Sequence, residues 1–271
     1  MKLLARWSAT LTLIGSTIFG SVFSGNLEAL ALSQEEIVQK LGIIPVFIIA
    51  DDEGRMVPLS LSNPEQEQEQ EDKQPFFAVF ISQADAVSAL ENLESSSPDL
   101  EDTLQAVPLP LGEAYQLIKS NQEEEDAPPF VFVPEQEQLQ SAVTILEEQE
   151  QEVQINPLYV PLFFFANKED GAYVTISRGE NNNEKILLFF DGQEAQQFLD
   201  NIQQQEAESQ SDVEIKVAFL HQWIRIFESS DDEALGMVEL VPLPESQEFL
   251  REFLDNVRQQ QQNQPQPSSG E

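Results

Sequence analysis

Residues 79–86 read VFISQADA, and residues 188–195 read LFFDGQEA. Each stretch has an apolar strand, then a residue that caps helices well, Ser82 or Asp191, and a carboxylate three positions later. Apolar residues at helical spacing follow both stretches. Each copy therefore predicts a strand that leads directly into a capped helix, and both halves of the chain use this unit.

Other matched segments lie in the same order around this unit. Residues 45–50 (PVFIIA) match 161–166 (PLFFFA), and each is followed by a polar turn and a second apolar stretch, which is typical of a hairpin. Residues 130–134 (FVFVP) match 238–242 (VELVP), and a helix is predicted after each. The spacing is near half the chain, which indicates a duplicated domain rather than a solenoid of short repeats.

We therefore predict an α+β fold, an internally duplicated, pseudo-twofold, two-lobed body whose β-sheets are flanked by helices. The first lobe is expected at residues 32–152 and the second at residues 153–258. Residues 259–271 are rich in Gln, Pro and Ser, which is typical of a disordered tail. With 41% apolar residues and 18 Phe, the two lobes have enough apolar surface to form their own cores.

The first 31 residues have the pattern of a secretory signal peptide. Lys2 and Arg6 form a basic start, residues 7–23 are apolar or small without charge, and residues 29–31 (ALA) match a signal peptidase site. We expect cleavage after Ala31 and export of the rest of the chain. An uncleaved membrane anchor is the alternative, because the apolar run is near the short end of a spanning helix.

Charge and cysteine content exclude several classes of function. The chain carries 49 acidic and 13 basic side chains, a net charge of −36 at pH 7, and such a surface repels nucleic acid and anionic lipid. We exclude DNA and RNA as partners. Glu/Gln-rich runs such as residues 65–72 are interpreted as solvated loops and helix faces, since they lack the spaced ligands of a calcium loop. Without cysteine there is no disulfide and no thiolate chemistry.

The motifs of common enzyme classes do not occur in this sequence. It has no HExxH, no GxSxG, no phosphate-binding glycine loop and no dinucleotide fingerprint. Its one histidine, His221, lies in the apolar stretch 217–227, which we interpret as a strand, so a structural role is favoured over a general base. Paired carboxylates for glycosidic chemistry stay open, because their separation in space is unknown. We predict no enzyme activity, no cofactor and no metal site.

Aromatic residues fall on both faces of the predicted strands. In residues 76–80 (FFAVF) and 163–165 (FFF), successive side chains point to opposite faces of the sheet. One face meets helices, and the other needs cover from the opposite lobe, from a second protein or from an extended client segment. Ordinary core on both faces is the alternative to an exposed binding groove.

The order of these segments resembles the Tic22 family, a component of chloroplast protein import with cyanobacterial homologues. The resemblance rests on the signal peptide followed by residues 41–47 (LGIIPVF), 79–86 (VFISQADA), 107–115 (VPLPLGEAY) and 130–134 (FVFVP). It covers residues 32–257. The Glu/Gln insertions and residues 219–227 depart from the family pattern.

The resemblance implies a non-enzymatic, chaperone-like protein of a space between two membranes, with hydrophobic pockets on the faces of a two-lobed α/β body. Plastid relatives are thought to escort preproteins between the two translocons. Cyanobacterial relatives are associated with the periplasm and with outer-membrane biogenesis, and thylakoid association is also discussed. Because the leader is of the bacterial type, we expect a cyanobacterial member in the periplasm.

The apolar strands and the acidity together suggest a mechanism. Unfolded or precursor proteins, such as outer-membrane precursors, would lay apolar segments into a groove on a sheet face or between the lobes. Peripheral membrane association stays open. The alternative is a scaffold or adaptor that docks on one partner, for instance an outer-membrane assembly barrel. The candidates for the groove, each with a competing role in the core, are Phe47, Phe76, Phe80, Phe163, Phe165 and Trp223.

Overall fold

The computed structural model describes residues 11–13, 32–59, 74–96, 103–124, 127–149, 155–178, 183–205, 212–247 and 249. The strands are β1 Leu11–Leu13, β2 Pro45–Asp51, β3 Phe77–Phe80, β4 Leu104–Pro110, β5 Phe130–Val133, β6 Pro161–Asn167, β7 Val174–Arg178, β8 Asn183–Phe189, β9 Val213–Phe219 and β10 Val238–Val241. The α-helices are α1 Gln34–Leu41, α2 Gln83–Ser96, α3 Leu111–Asn121, α4 Gln136–Glu148, α5 Gly192–Gln205 and α6 Leu220–Ser229. A 3₁₀ helix spans Glu233–Met237. This content of helices and mixed sheets confirms the predicted α+β class.

The first sheet has the strand order β4-β2-β3-β5. Strand β2 is antiparallel to β3 and β4, and β3 is parallel to β5. Six consecutive residues of β2, Pro45 to Ala50, are buried. A strand with apolar residues at every position is buried on both faces, because its side chains alternate between the two.

The second sheet has the core order β9-β6-β8, in which neighbouring strands are antiparallel. On the far side of β8, residues 186–189 pair in parallel with β10, and residues 183–185 pair with β7. Strand β1 pairs with β7 at the edge. Three residues of the predicted signal peptide therefore form an edge strand in the full chain.

The strand pairing of the first sheet recurs in the second. Phe47 of β2 is opposite Phe80 of β3, and Phe163 of β6 is opposite Phe189 of β8. Strand β2 pairs along its whole length with β4, as β6 does with β9. The chain thus has two four-stranded arrangements with the same order and register. A duplication as the origin of this correspondence stays a prediction, as do the lobe boundaries.

The central core lies between the inner faces of the two sheets. Alternate residues of β2 and β6 contribute to it, together with apolar residues of α1, α3 and α6. Helices α1 and α3 approach closely, and a Cβ at Gly112 would overlap the carbonyl oxygen of Val38. The largest fully buried side chains here are Trp223, Phe190 and Phe227. One continuous core therefore joins the two halves.

The outer face of each sheet is covered partly by an element from the other half of the chain. Ala142 of α4 packs with Phe163 and Phe165 of the second sheet. Phe249 packs against the outer face of the first sheet, and its ring meets that of Phe47 edge-on at 5.5 Å. The remaining cover comes from α5 and α2. The sequence left open whether the opposite lobe, a second protein or a client segment covers the second face of each sheet. In the described residues, elements from the opposite half of the chain cover part of each outer face.

Polar contacts also join the halves. Lys40 Nζ donates to the carbonyl oxygens of Gly236 and Val238 at 3.2 and 3.0 Å. Tyr115 donates its hydroxyl proton to Glu228 at 2.9 Å. Burial and this hydrogen bond raise the pKa of Tyr115 to about 12. Each contact ties a helix of the first half to a segment beyond residue 220.

The two predicted helix caps differ in the structure. Asp191 Oδ1 accepts a hydrogen bond from the Glu194 N–H at 2.8 Å, which confirms the predicted cap of α5. Ser82 is buried, and its hydroxyl donates to Glu245 Oε1 at 2.8 Å. Ser82 is the first-half residue that matches Asp191, and its hydroxyl therefore joins the first half of the chain to the second.

The predicted strand at 217–227 is wrong. Strand β9 ends at Phe219, and His221 lies in the first turn of helix α6. Residues 14–31, with the predicted cleavage site, and the predicted tail lie outside the described residues. None of the helices in the described part of the chain has the length and apolar content needed to cross a membrane.

Candidate binding cavity beside strand β9

A cavity of about 470 Å³ lies between the end of the second sheet and helix α6. We call it the Trp223 cavity. Its wall is mainly apolar, with exposed polar residues of α6 at the rim. The lining residues are Phe164, Tyr173, Val217, Ala218, Gln222, Trp223, Arg225, Ile226 and Ser229.

Helix α6 forms because its sequence, LHQWIRIFES, places apolar residues on one helical face. Leu220, Trp223 and Phe227 are buried at the spacing i, i+3 and i+7. The helix begins at a defined point, since the Phe219 N–H donates to Gln222 Oε1 at 3.2 Å. This start fixes the position of Trp223 relative to β9.

Stacked aromatic rings form the deep wall of the cavity. The rings of Phe164 and Tyr173 stack with centroids 4.9 Å apart. The Tyr173 ring meets the Trp223 indole edge-on at 5.7 Å, and Phe227 lies behind Trp223 at 5.9 Å. Burial raises the pKa of Tyr173, so its hydroxyl stays neutral at physiological pH. Ring contacts on both sides restrict the indole, so the wall is preorganised.

The indole nitrogen of Trp223 is buried and has no hydrogen-bond partner among the described residues. The side chain itself is only 1% exposed. Buried indole N–H groups normally find an acceptor, and leaving one unpaired costs about 1–3 kcal/mol. The cavity itself presents the apolar parts of its wall, which suits an apolar group of a ligand.

The structure buries all six aromatic residues predicted for the groove. None is more than 8% exposed: Phe47, Phe76, Phe80, Phe163, Phe165 and Trp223. All six therefore pack in the core of the described structure, and contact of any of them with a client stays a prediction. The reason is that helices from both halves cover the outer sheet faces.

The six residues are also not brought together. Three lie in the outer core of the first sheet, two in that of the second, and Trp223 in the central core. Phe47 and Trp223 each line a cavity. Sequence reasoning missed Ile226, because it read residues 217–227 as a strand, and Tyr173, because it placed that residue in a hairpin without a binding role. The i, i+3, i+7 spacing of Leu220, Trp223 and Phe227 was the signal that could have identified α6; no signal in the sequence marked Tyr173.

Two other cavities lie elsewhere on the described part of the chain, and the second of them is mainly polar. One of about 410 Å³ lies beside α2 and includes Phe47, Glu245 and Phe249. One of about 560 Å³ lies at α3, where Lys119 forms an ion pair with Glu228 at 2.7 Å. In the part of the chain that the structure describes, no group of three or more His, Asp or Glu side chains is placed to hold a metal ion.

His221 has an aromatic environment. Its ring centroid lies 4.2 Å from that of Tyr159 and 6.0 Å from that of Phe219. Burial, with a smaller contribution from the charge of Arg225, lowers the pKa of His221, so its imidazole is neutral at pH 7. These contacts give the histidine a packing role.

Comparison with known proteins gives one consistent result. A family model described as the Tic22-like family matches residues 5–252. The structure is similar to Tic22 from Anabaena, described as a protein-transport protein, with a TM-score of 0.69 and 24% identity over 87% of this chain and 99% of that one. It is also similar to Tic22 from Plasmodium falciparum, with a TM-score of 0.58 and 20% identity over 81% of this chain and 98% of that one. No curated protein matches the sequence.

Proposed function

The chain belongs to the Tic22-like family, and on this basis we propose that it is a non-enzymatic component of protein transport that binds non-native polypeptides. The Anabaena relative is described as a protein-transport protein. Clients would be unfolded or precursor proteins, including outer-membrane precursors, which the protein holds until they reach their membrane. The Trp223 cavity supports this function most directly, because it is open at its rim and has a wall of apolar and aromatic side chains.

The charge supports a holding function. With a net charge of −36, copies of the protein repel one another even when apolar surface is in use. Binding to one cavity would be weak and reversible, which suits transfer of a client to a membrane machine. We place the protein in the periplasm, or in a comparable space between two membranes, on the basis of the predicted leader.

The experiment is aggregation of a denatured outer-membrane β-barrel precursor, followed by light scattering with and without the full chain. We expect suppression at a near-stoichiometric ratio. Ser229→Trp places a large side chain at the cavity, where Ser229 is exposed at the end of α6. This variant should suppress aggregation at least about threefold less well, since the apolar wall is then occupied.

Ser96→Trp is the matched control. Ser96 ends α2 as Ser229 ends α6, both are exposed, and both hydroxyls donate to the carbonyl four residues earlier, at 2.7 and 2.6 Å. The control should behave like the wild type. A folded protein that leaves aggregation unchanged would contradict the holding function. Equal activity of both variants would contradict the cavity as its site.

A scaffold or adaptor is the second candidate function. Leu158 and Tyr159 are consecutive, each 38% exposed, and the Tyr159 ring packs against Phe219 and His221. Such an exposed aromatic patch suits docking to one folded partner, such as the periplasmic domains of an outer-membrane assembly barrel. An adaptor would leave unrelated denatured proteins to aggregate in the same assay.

A further inference from the structure

We propose that the free edge of β9 binds an extended segment of a client as an added strand, with one apolar side chain of that segment in the Trp223 cavity. This inference rests on the proposed function and specifies how the client is held. The client segment is strand-forming, alternates apolar with polar residues, and carries a net positive charge.

Hydrogen bonds identify which groups of β9 face the free edge. The Ile215 carbonyl accepts from Gln149 Nε2 at 2.8 Å, and the Phe219 N–H donates to Gln222 Oε1 at 3.2 Å. Neither partner belongs to β6, so residues 215 and 219 point away from the sheet. Alternate residues of an antiparallel strand point to the same side, so the N–H and C=O of Val217 lie on this edge too. Within the described residues, β9 ends the sheet there.

The intervening residues bond in the other direction, which confirms the assignment. The Leu220 N–H donates to the Val160 carbonyl at 2.9 Å, and the Lys168 N–H donates to the Asp212 carbonyl at 2.7 Å. These two bonds flank the β6–β9 pairing and place the even-numbered residues of β9 toward β6. The free edge is therefore formed by the odd-numbered ones.

The corresponding edge of β4 is closed to an added strand. Pro108 is opposite Phe47 as Val217 is opposite Phe163, and Pro110 occupies the position of Phe219. Proline lacks an N–H, and natural proteins place it on edge strands to prevent pairing. The two sheets have the same register, but the edges differ: β9 has backbone N–H donors at Val217 and Phe219, and β4 has prolines at both corresponding positions.

Two glutamine side chains hold the β9 edge. The amides of Gln149 and Gln222 bond to backbone groups of β9 as a neighbouring strand would. Between them, Val217 lies on the edge and also lines the Trp223 cavity. An incoming strand can replace a side-chain amide by its own peptide group without loss of hydrogen bonds. The edge is thus protected in the free protein and available to a client.

The surroundings define the chemistry of the client. A cavity of about 470 Å³ accommodates a large apolar side chain. The net charge of −36 belongs to the chain as a whole and attracts basic segments to the protein at long range, whereas the charged residue that lines the cavity is Arg225. Alternating apolar and polar residues are the pattern of a strand with one buried face.

The test uses a dye-labelled synthetic peptide in which leucine and threonine alternate over eight positions between terminal lysines. Its binding to the full chain is measured by fluorescence anisotropy. Val217→Pro removes the N–H at the free edge, as Pro108 does in β4, and should weaken binding at least about fivefold. Val217→Thr keeps the N–H and β-branching, so it separates loss of the backbone donor from the change of side chain and should bind more tightly than Val217→Pro. Circular dichroism and urea unfolding check that both variants fold.

A second probe changes the peptide and leaves the edge strand as it is. The same peptide with N-methyl groups on alternate residues keeps its side chains and loses one edge of hydrogen-bond donors, so it should bind at least about fivefold more weakly. The indole N–H resonance of Trp223, assigned by its loss in Trp223→Phe, should shift when the unmodified peptide binds, because Trp223 lines the cavity that the peptide side chain enters.

Binding of the unmodified peptide that is weakened by N-methylation and by Val217→Pro supports strand addition. Equal binding in all cases refutes strand addition while the holding function stands. A wild type that suppresses aggregation but ignores the peptide refutes it too. If neither activity is present, both proposals are wrong. A wild-type dimer in sedimentation that Val217→Pro dissociates would assign the edge to a second copy of the chain and overturn the client proposal.

Discussion

Gly112→Ala tests the closest contact between helices α1 and α3. An alanine Cβ at this position would overlap the backbone carbonyl oxygen of Val38 and lie 3.1 Å from its carbonyl carbon and 3.2 Å from its Cγ1 atom. The obstacle is mainly backbone, so it cannot rotate away as a flexible side chain could. The helices must separate, and both contribute to the central core.

The expected loss follows from two opposing effects. Overpacking a core costs about 1–3 kcal/mol, and a backbone obstacle places this site at the upper end. Alanine gains up to about 1 kcal/mol over glycine in a helix interior, and less at the second residue of α3. The free energy of unfolding should therefore fall by about 2 kcal/mol. With a urea m-value of about 2 kcal/mol/M, the unfolding midpoint falls by about 1 M.

Gly236→Ala is the matched control for this measurement. A Cβ at Gly236 meets no atom within 4 Å, so the free energy of unfolding should change by less than about 0.5 kcal/mol. Urea unfolding of both variants is followed by circular dichroism. A midpoint for Gly112→Ala at or above that of the wild type, with the control unchanged, would refute the close helix contact.

Three further perturbations test other contacts. Gln138→Ala removes the buried acceptor of the Gly192 N–H, a 2.9 Å bond, and should lower the free energy of unfolding by about 1–3 kcal/mol in urea titrations; an unchanged midpoint would contradict that bond. Burial, and to a smaller extent the charge of Glu245, raises the pKa of Asp85 in the folded protein. The ionised Asp85 carboxylate therefore destabilises the folded state at pH values above this pKa, and the destabilisation disappears as the pH falls and the carboxylate is protonated. Asp85→Asn should therefore stabilise the protein at pH 7 with a gain that shrinks toward pH 4, and a gain independent of pH would refute this. Phe249→Ala should lower the free energy of unfolding by less than the roughly 3–4 kcal/mol of a fully buried site, because Phe249 is half-buried against the outer face of the first sheet. The loss is measured as a lower melting temperature, and an unchanged melting temperature would contradict this packing.

The repeated strand-to-helix unit shows what could be predicted from the sequence. Residues 79–86 form the end of β3 and the start of α2, and residues 188–195 form the end of β8 and the start of α5. Hydrophobic runs followed by helix-start signals are local, so they survive without knowledge of the tertiary fold. The matched segments identify β2, β3 and β5 with β6, β8 and β10, but they do not identify β4 with β9. The predicted hairpins are single bridges in the described residues, Ala50 with Met56 and Ala166 with Tyr173.

Helix α6 shows why part of the site could not be located. Residues 217–227 are almost continuously apolar, and such a run does not distinguish a strand from a helix by period alone. In the structure the run is divided at Leu220, with Val217 on β9 and Trp223 on α6. The cavity lies where β9 ends and α6 begins. Because the sequence analysis predicted one strand across this boundary, it did not locate the cavity.

The exposure of the aromatic residues depended on contacts that are distant in sequence. Phe47 is covered by Phe249, and Phe163 is covered by α4 from the preceding half. Each local sequence is compatible with an open groove or with a closed core. Only the arrangement of the two halves decides between them, and that information is absent from any single segment.

The cover that Phe249 provides has a consequence for the order of folding during synthesis. A ribosome completes β2 about 200 residues and β3 about 170 residues before Phe249. The first sheet therefore waits for nearly the whole chain before its outer layer is complete, a closure of high contact order that slows folding. A nascent chain of this design therefore keeps the outer face of its first sheet incompletely packed until its last residues are made.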